Sequence, residues 1–183
     1  MKSATAFAPA TVANVAVGFD ILGFAIESVG DNVTVSITDD PSVRITQLLK
    51  SLSDPLDAPP LDAERNAATV GLIKLRQDLR LDFGFEVVLR KGIALGSGMG
   101  GSAASAVGGL VAANSLLESP LPREDLLKYA LLGEQAASGA SHPDNIAPCL
   151  LGGMTLVIST DPFRYISLPV PEDRKSTRLN SSH

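Results

Sequence analysis

Residues 92–109 read GIALGSGMGGSAASAVGG. Gly96, Gly98, Gly100 and Gly101 lie within six residues of one another, interleaved with Ser97 and followed by Ser102. Where side chains are missing, backbone amides can approach an anion with no Cβ in the way. The small residues that follow predict a tightly packed helix from about Ser102 to Leu117, through Ala103, Ala104, Ala106, Gly108, Ala112 and Ala113. Its N-terminus would offer unpaired N–H groups and the positive end of its dipole to the same anion. Glycine richness alone equally fits a flexible loop before a structural helix. Two other phosphate motifs are excluded, because there is no Gly-Lys-Ser/Thr and the spacing does not fit the dinucleotide fingerprint.

On either side the pattern alternates between strand and helix. NVTVSIT (Asn32 to Thr38), FGFEVVL (Phe83 to Leu89) and MTLVIS (Met154 to Ser159) are rich in β-branched residues and predict strands. From Asp62 to Leu79 the apolar positions Val70, Leu72, Ile73, Leu75 and Leu79 recur at mixed three- and four-residue spacings, which predicts an amphipathic helix. Asp54 to Pro60, with three prolines, reads as the loop leading into it. A further helix is expected from Arg123 to Ser138, with Gly139 placed to end it. The result is an α+β class with a mixed sheet, in one domain spanning residues 1–172.

Composition narrows the partners. A chain of 183 residues with 45% hydrophobic content can bury a sizeable core. A formal net charge of -5 argues against a nucleic-acid or anionic-membrane surface, since such surfaces are held by clustered Lys and Arg. The single cysteine, Cys149, excludes an internal disulfide framework and suits a cytoplasmic setting. Pro9, Asn14 and Asp20 interrupt the N-terminal region before it reaches signal or spanning length. Residues 173–183, DRKSTRLNSSH, have no apolar periodicity. They match, residue for residue, one reading frame of a widely used sequencing-library adapter, so they are read as a disordered, non-native tail.

Two polar constellations remain. Residues 8–23 read APATVANVAVGFDILG, in which Asn14 and Asp20 stand among small apolar residues. If buried they would need partners, and a substrate ammonium and hydroxyl would serve; Asn and Asp also cap turns. Residues 133–148 read GEQAASGASHPDNIAP and gather Glu134, His142 and Asn145. One carboxylate and one serine hydroxyl, with waters and nucleotide phosphates, would satisfy magnesium.

Taken in order, these three segments resemble the motifs of the GHMP kinases, and within them the homoserine kinases. The family loop has the form Gly-Leu-Gly-Ser-Ser-Ala-Ala; here it stands as Gly98-Met99-Gly100-Gly101-Ser102-Ala103-Ala104, with Gly101 in place of the first serine. The resemblance implies the GHMP N-terminal domain, with ATP phosphates held by the amides from Leu95 and Gly96 through Ala103 to Ser105. It implies Mg2+ on Ser102 and Glu134, and L-homoserine aligned by Asn14, Asp20, His142 and Asn145. Asn66 is a candidate for the nucleoside pocket, and Asp144 keeps a base-assisted mechanism open. The implied reaction is ATP-dependent phosphorylation of the homoserine side-chain hydroxyl, a step of threonine biosynthesis, by an enzyme that in full length is a homodimer. The family continues into a C-terminal domain carrying substrate-binding arginines and a third glycine-rich motif. No match to either lies in residues 1–172, so this chain is expected to turn over homoserine poorly. Another GHMP small-molecule kinase, of mevalonate or shikimate type, and a non-catalytic nucleotide-binding fragment are the other readings.

Overall fold

A computed structural model describes residues 2–50 and 59–170. The expected proline loop from Asp54, save Pro59 and Pro60, and the tail from Asp173 to His183 lie outside the described residues. The chain runs β1 (Ser3–Val12), β2 (Leu22–Thr38), β3 (Val43–Lys50), α1 (Ala67–Asp78), β4 (Gly84–Lys91), α2 (Gly101–Asn114), α3 (Arg123–Ser138), α4 (Pro143–Leu151), β5 (Met154–Thr160) and β6 (Phe163–Leu168).

The long strand β2 organises the sheet. It pairs antiparallel with β1, β4 and β5, while β3 joins β4 in parallel and β6 closes a hairpin on β5. The order is therefore β3-β4-β2-β5-β6, with β1 also on β2, in a mixed sheet as expected. Alternation decides the buried face. Ala6, Ala8 and Ala10 of β1, Val33 and Val35 of β2, and Phe85, Val87 and Leu89 of β4 are buried, whereas Phe7 and Arg90 between them are exposed. The described helices cover that buried face, making two layers around one core.

Helix α2 lies at the centre of the core and is buried from Ala103 to Leu110 without a break. A helix buried all round has to approach its neighbours closely, and its small residues permit this. A Cβ on Gly109 would lie 2.5 Å from the carbonyl oxygen of Ala68 in α1. Asn66 caps α1 by accepting the Ala68 N–H at 2.9 Å, so the first expected helix begins at Ala67 rather than Asp62. Helix α3 has the expected bounds, and Gly139 ends it in the left-handed conformation. None of the described helices is long and apolar enough to cross a membrane.

Four elements go beyond the expectation: β1, β3, α4 and β6. Strand β1 reads SATAFAPATV, in which alanine and proline dilute the strand signal. Helix α4 begins with Pro143 at its first position and carries Asp144 in its first turn, a good start signal hidden inside a polar motif. The strand expected at Asn32 is only the second half of β2, whose first half contains Glu27, Gly30 and Asp31.

Candidate active site

The segment between β4 and α2 is the glycine-rich loop, and it forms one wall of a cavity of about 660 Å³. Gly96, Gly98 and Gly100 have φ of 71°, 64° and 66°. A left-handed residue between right-handed ones turns successive amides to one side, which makes a concave anion seat. Gly100 is also the N-cap of α2 and supplies no side chain to satisfy the first amides of the helix. The substitution has a geometric reason: a Cβ on Gly100 would lie 2.1 Å from Thr11 Oγ1 and 2.9 Å from Asn145 Oδ1.

The opposite wall comes from α3 and the start of α4. Glu134 is buried, and Oε2 of its carboxylate has no hydrogen-bond partner. Burial pushes its pKa up from the ordinary glutamate value, and hydrogen bonding from Ser102 and the charge of His142 oppose that rise. Ser102 and Glu134 thus meet across one cavity from two helices. Ser97 Oγ, in the same wall, is a second buried polar atom without a partner. Orphaned buried oxygens are rare and call for a ligand. Among the described residues no three His, Cys, Asp or Glu side chains cluster as a metal site. The donor set is therefore one carboxylate and one hydroxyl, which fits a hard cation that takes its other oxygens from phosphates and water.

The third side carries Asn14, His142 and Asn145. Thr11, fully buried at the end of β1, donates its hydroxyl to Asn145 Oδ1 at 2.7 Å. With its oxygen occupied, Asn145 presents its NH2 group to the cavity as a donor. The Thr11 N–H also bonds Met99 O at 3.0 Å, which ties β1 to the glycine loop. Asp144 is buried, its Oδ2 accepts the Asn14 N–H at 3.3 Å, and burial raises its pKa while that amide lowers it. It does not line the cavity, so its carboxylate does not face a reacting group there.

Several expected residues need placing anew. Asn14 and Asp20 are exposed, so burial gives no reason for them to seek a substrate. They form a local turn in which the Asp20 N–H donates to Asn14 Oδ1 at 2.9 Å, on left-handed backbone at both positions. Asn14 reaches the cavity and Asp20 does not. Leu95, Gly96, Ser97, Gly98, Gly100, Gly101 and Ser102 line it as expected, but Met99 and Ala103 do not, since both turn toward the core. Asn66 lines the cavity with its side chain already committed to the Ala68 N–H and, at 2.6 Å, to Pro60 O. Ser105 is buried with its hydroxyl on Asp31 at 2.9 Å. Thr11, Asp31 and Lys91 escaped sequence reading, because their roles come from partners distant in the chain.

Three comparisons agree with this geometry. A profile described as the GHMP kinases N terminal domain matches residues 66–153. A homoserine kinase of Xylella fastidiosa is 56% identical over 153 residues, covering 84% of this chain and 46% of the relative. One from Xanthomonas campestris pv. campestris is 51% identical over 172 residues, covering 94% of this chain and 51% of the relative. The crystal structure of homoserine kinase from Cytophaga hutchinsonii is 44% identical and superposes with a TM-score of 0.86, covering 93% of this chain and 53% of that one. Mevalonate kinase of Methanococcus jannaschii, at 12% identity and a TM-score of 0.67, shares the fold. The chain spans about half the length of the curated relatives it matches.

Proposed function

The chain belongs to the GHMP kinases through the N-terminal domain it carries, and from that premise we propose that its cavity binds ATP and serves transfer of the γ-phosphoryl group to the side-chain hydroxyl of L-homoserine. The observation that carries this reading is the convergence of the unpartnered Glu134 carboxylate and Ser102 on a cavity walled by the glycine loop. In transfer, the acceptor oxygen bonds the γ-phosphorus as the bond to the bridging oxygen of ADP breaks. The acceptor hydroxyl proton leaves to water or a phosphoryl oxygen, since loose phosphoryl transfer does not require a strong base. The amides of Leu95 to Ser102 hold the phosphates, and Asn66 shapes the nucleoside end. Ser102 and Glu134 hold Mg2+, which when bound neutralises charge on the phosphates. Asn145 donates to the acceptor hydroxyl, and His142 and Asn14 orient the amino-acid end, with Asp20 supporting Asn14. The product feeds threonine formation in the cytoplasm, and the full-length enzyme is a homodimer with neither nucleic acid nor membrane as a partner.

The test joins residues 1–168 to the second half of the Xanthomonas campestris relative and offers ATP, magnesium and a panel of alcohols. ADP release should rise with homoserine and not with mevalonate or shikimate. Release that follows one of the latter, or none, overturns the assignment. In the same joined protein, Thr11→Val keeps the shape of the side chain and removes its hydroxyl, so the Asn145 amide can turn. The expected result is about tenfold lower kcat with little change in KM for ATP, since misorientation falls on the acceptor. A steady-state comparison of the two substrates checks it.

A further inference from the structure

Beneath the glycine loop lies a buried ion pair that the reaction does not use directly. Asp31, in the middle of β2, is fully buried, and Lys91, the last residue of β4, is nearly so. The Asp31 carboxylate has two faces. Oδ1 accepts the N–H groups of Gly92 at 3.0 Å and Ile93 at 3.2 Å, where the chain leaves β4. Oδ2 accepts the Ser105 hydroxyl at 2.9 Å and the Lys91 ammonium, where the chain has entered α2. The Lys91 ammonium donates in addition to Gly101 O at 2.8 Å and Ser105 Oγ at 3.0 Å.

An ammonium has three protons, and here three acceptors take them: Asp31, Gly101 and Ser105. Lys91 lines the cavity yet has no proton to offer a phosphate while these bonds stand. The Ser105 hydroxyl is committed in the same way. A buried ion pair by itself is weak evidence of stabilisation, because a well-packed apolar pair often does as well. What an apolar pair lacks is direction. This one carboxylate bonds both shoulders of a loop whose own residues are glycines with little conformational preference.

We propose that Asp31, Lys91 and Ser105 are positioning residues that hold the two ends of the glycine loop at the separation a triphosphate requires. The inference rests on the reading of the cavity as an ATP site. It goes further by removing Lys91 and Ser105 from the set of phosphate ligands and giving them, with Asp31, a part in the geometry of that set.

The test uses the whole chain and three probes: ATP and inorganic tripolyphosphate, each with magnesium, and adenosine. The double variant Asp31→Asn with Lys91→Met removes both charges together, leaving an acceptor for Gly92 and Ile93 but nothing on Gly101 O. Circular dichroism should show it folded. Titration calorimetry should show tripolyphosphate and ATP bound about ten- to a hundredfold more weakly, with adenosine affinity within about twofold of the parent. Ser105→Ala should move in the same direction by about threefold, and it decides the matter if the double variant does not fold. Parent-like affinity for tripolyphosphate in a folded variant overturns the proposal. So does an equal loss for adenosine, which would mean general loosening of the fold. If the parent chain binds neither ATP nor tripolyphosphate, the ATP reading itself fails and the proposal with it.

Discussion

Gly100→Ala should reduce ATP affinity about a hundredfold, whereas Gly96→Ala, in the same loop and on the same side of the backbone map, should change it only a fewfold. Both glycines are left-handed, with φ of 66° and 71°. A side chain in that region costs roughly 1–2 kcal/mol at either place. The difference is space. A Cβ at Gly96 meets nothing within 4 Å, but one at Gly100 lies 2.1 Å from Thr11 Oγ1. Thr11 cannot retreat, because it is fully buried and its backbone N–H is bonded to Met99 O. The loop has to lift instead, and two things move with it: the free amides at the start of α2 and the Thr11–Asn145 contact at 2.7 Å. Overpacking of this kind costs about 1–3 kcal/mol, so the melting temperature should fall by several degrees while the fold persists. Calorimetric titration of ATP alongside thermal melts of both variants measures the two effects. Equal losses from the two substitutions would mean that backbone strain, not the Thr11 contact, governs the loop.

Glu134→Gln should weaken binding of magnesium and ATP together by about a hundredfold and at the same time leave the unliganded chain as stable as before, or more so. The substitution keeps shape and removes charge at a buried position whose Oε2 lacks a partner. The sign follows from the pKa. Burial raises the folded-state value of Glu134 above its ordinary 4.5, so the folded chain binds this proton more readily than the unfolded chain. Stability is then lost as pH rises from the unfolded value through the folded one, and the neutral amide avoids that loss. Ligand binding runs the other way. The metal needs the carboxylate, so affinity for the magnesium–ATP pair should fall as pH drops through the raised pKa, and the glutamine variant should lose that step. Titrations across the acid range, paired with melts of the unliganded proteins, test both halves. A variant that binds magnesium and ATP as the parent does removes Glu134 from the metal site.

Much of this site could be read before folding was considered. The glycine spacing from Gly96 to Gly101 announces an anion seat because it acts through local backbone geometry, and the seat is there. Glu134 and Ser102 are far apart in the chain, and only order along a family pattern linked them; the fold brings both to one cavity. Asn14 and Asp20 show the opposite case. An apolar neighbourhood in sequence suggested burial, but a run of left-handed residues lifts the β1–β2 loop into solvent. Helix α3 kept its expected bounds because its start and its glycine stop are both local signals. Strand β1 was not legible, since its alanines gain their meaning only from α2 packed against them.

The chain by itself determined the α+β class, the helices at 67–78 and 123–138, and the phosphate loop at the head of α2, because periodicity, caps and glycine conformations act over a few residues. Tertiary structure alone decided that Asp31 ties both ends of that loop through Lys91 and Ser105 and that Thr11 orients Asn145, contacts between residues 14 to 134 positions apart. Such bonds depend on which strands pair and which helix lies over them, and no local spacing encodes that.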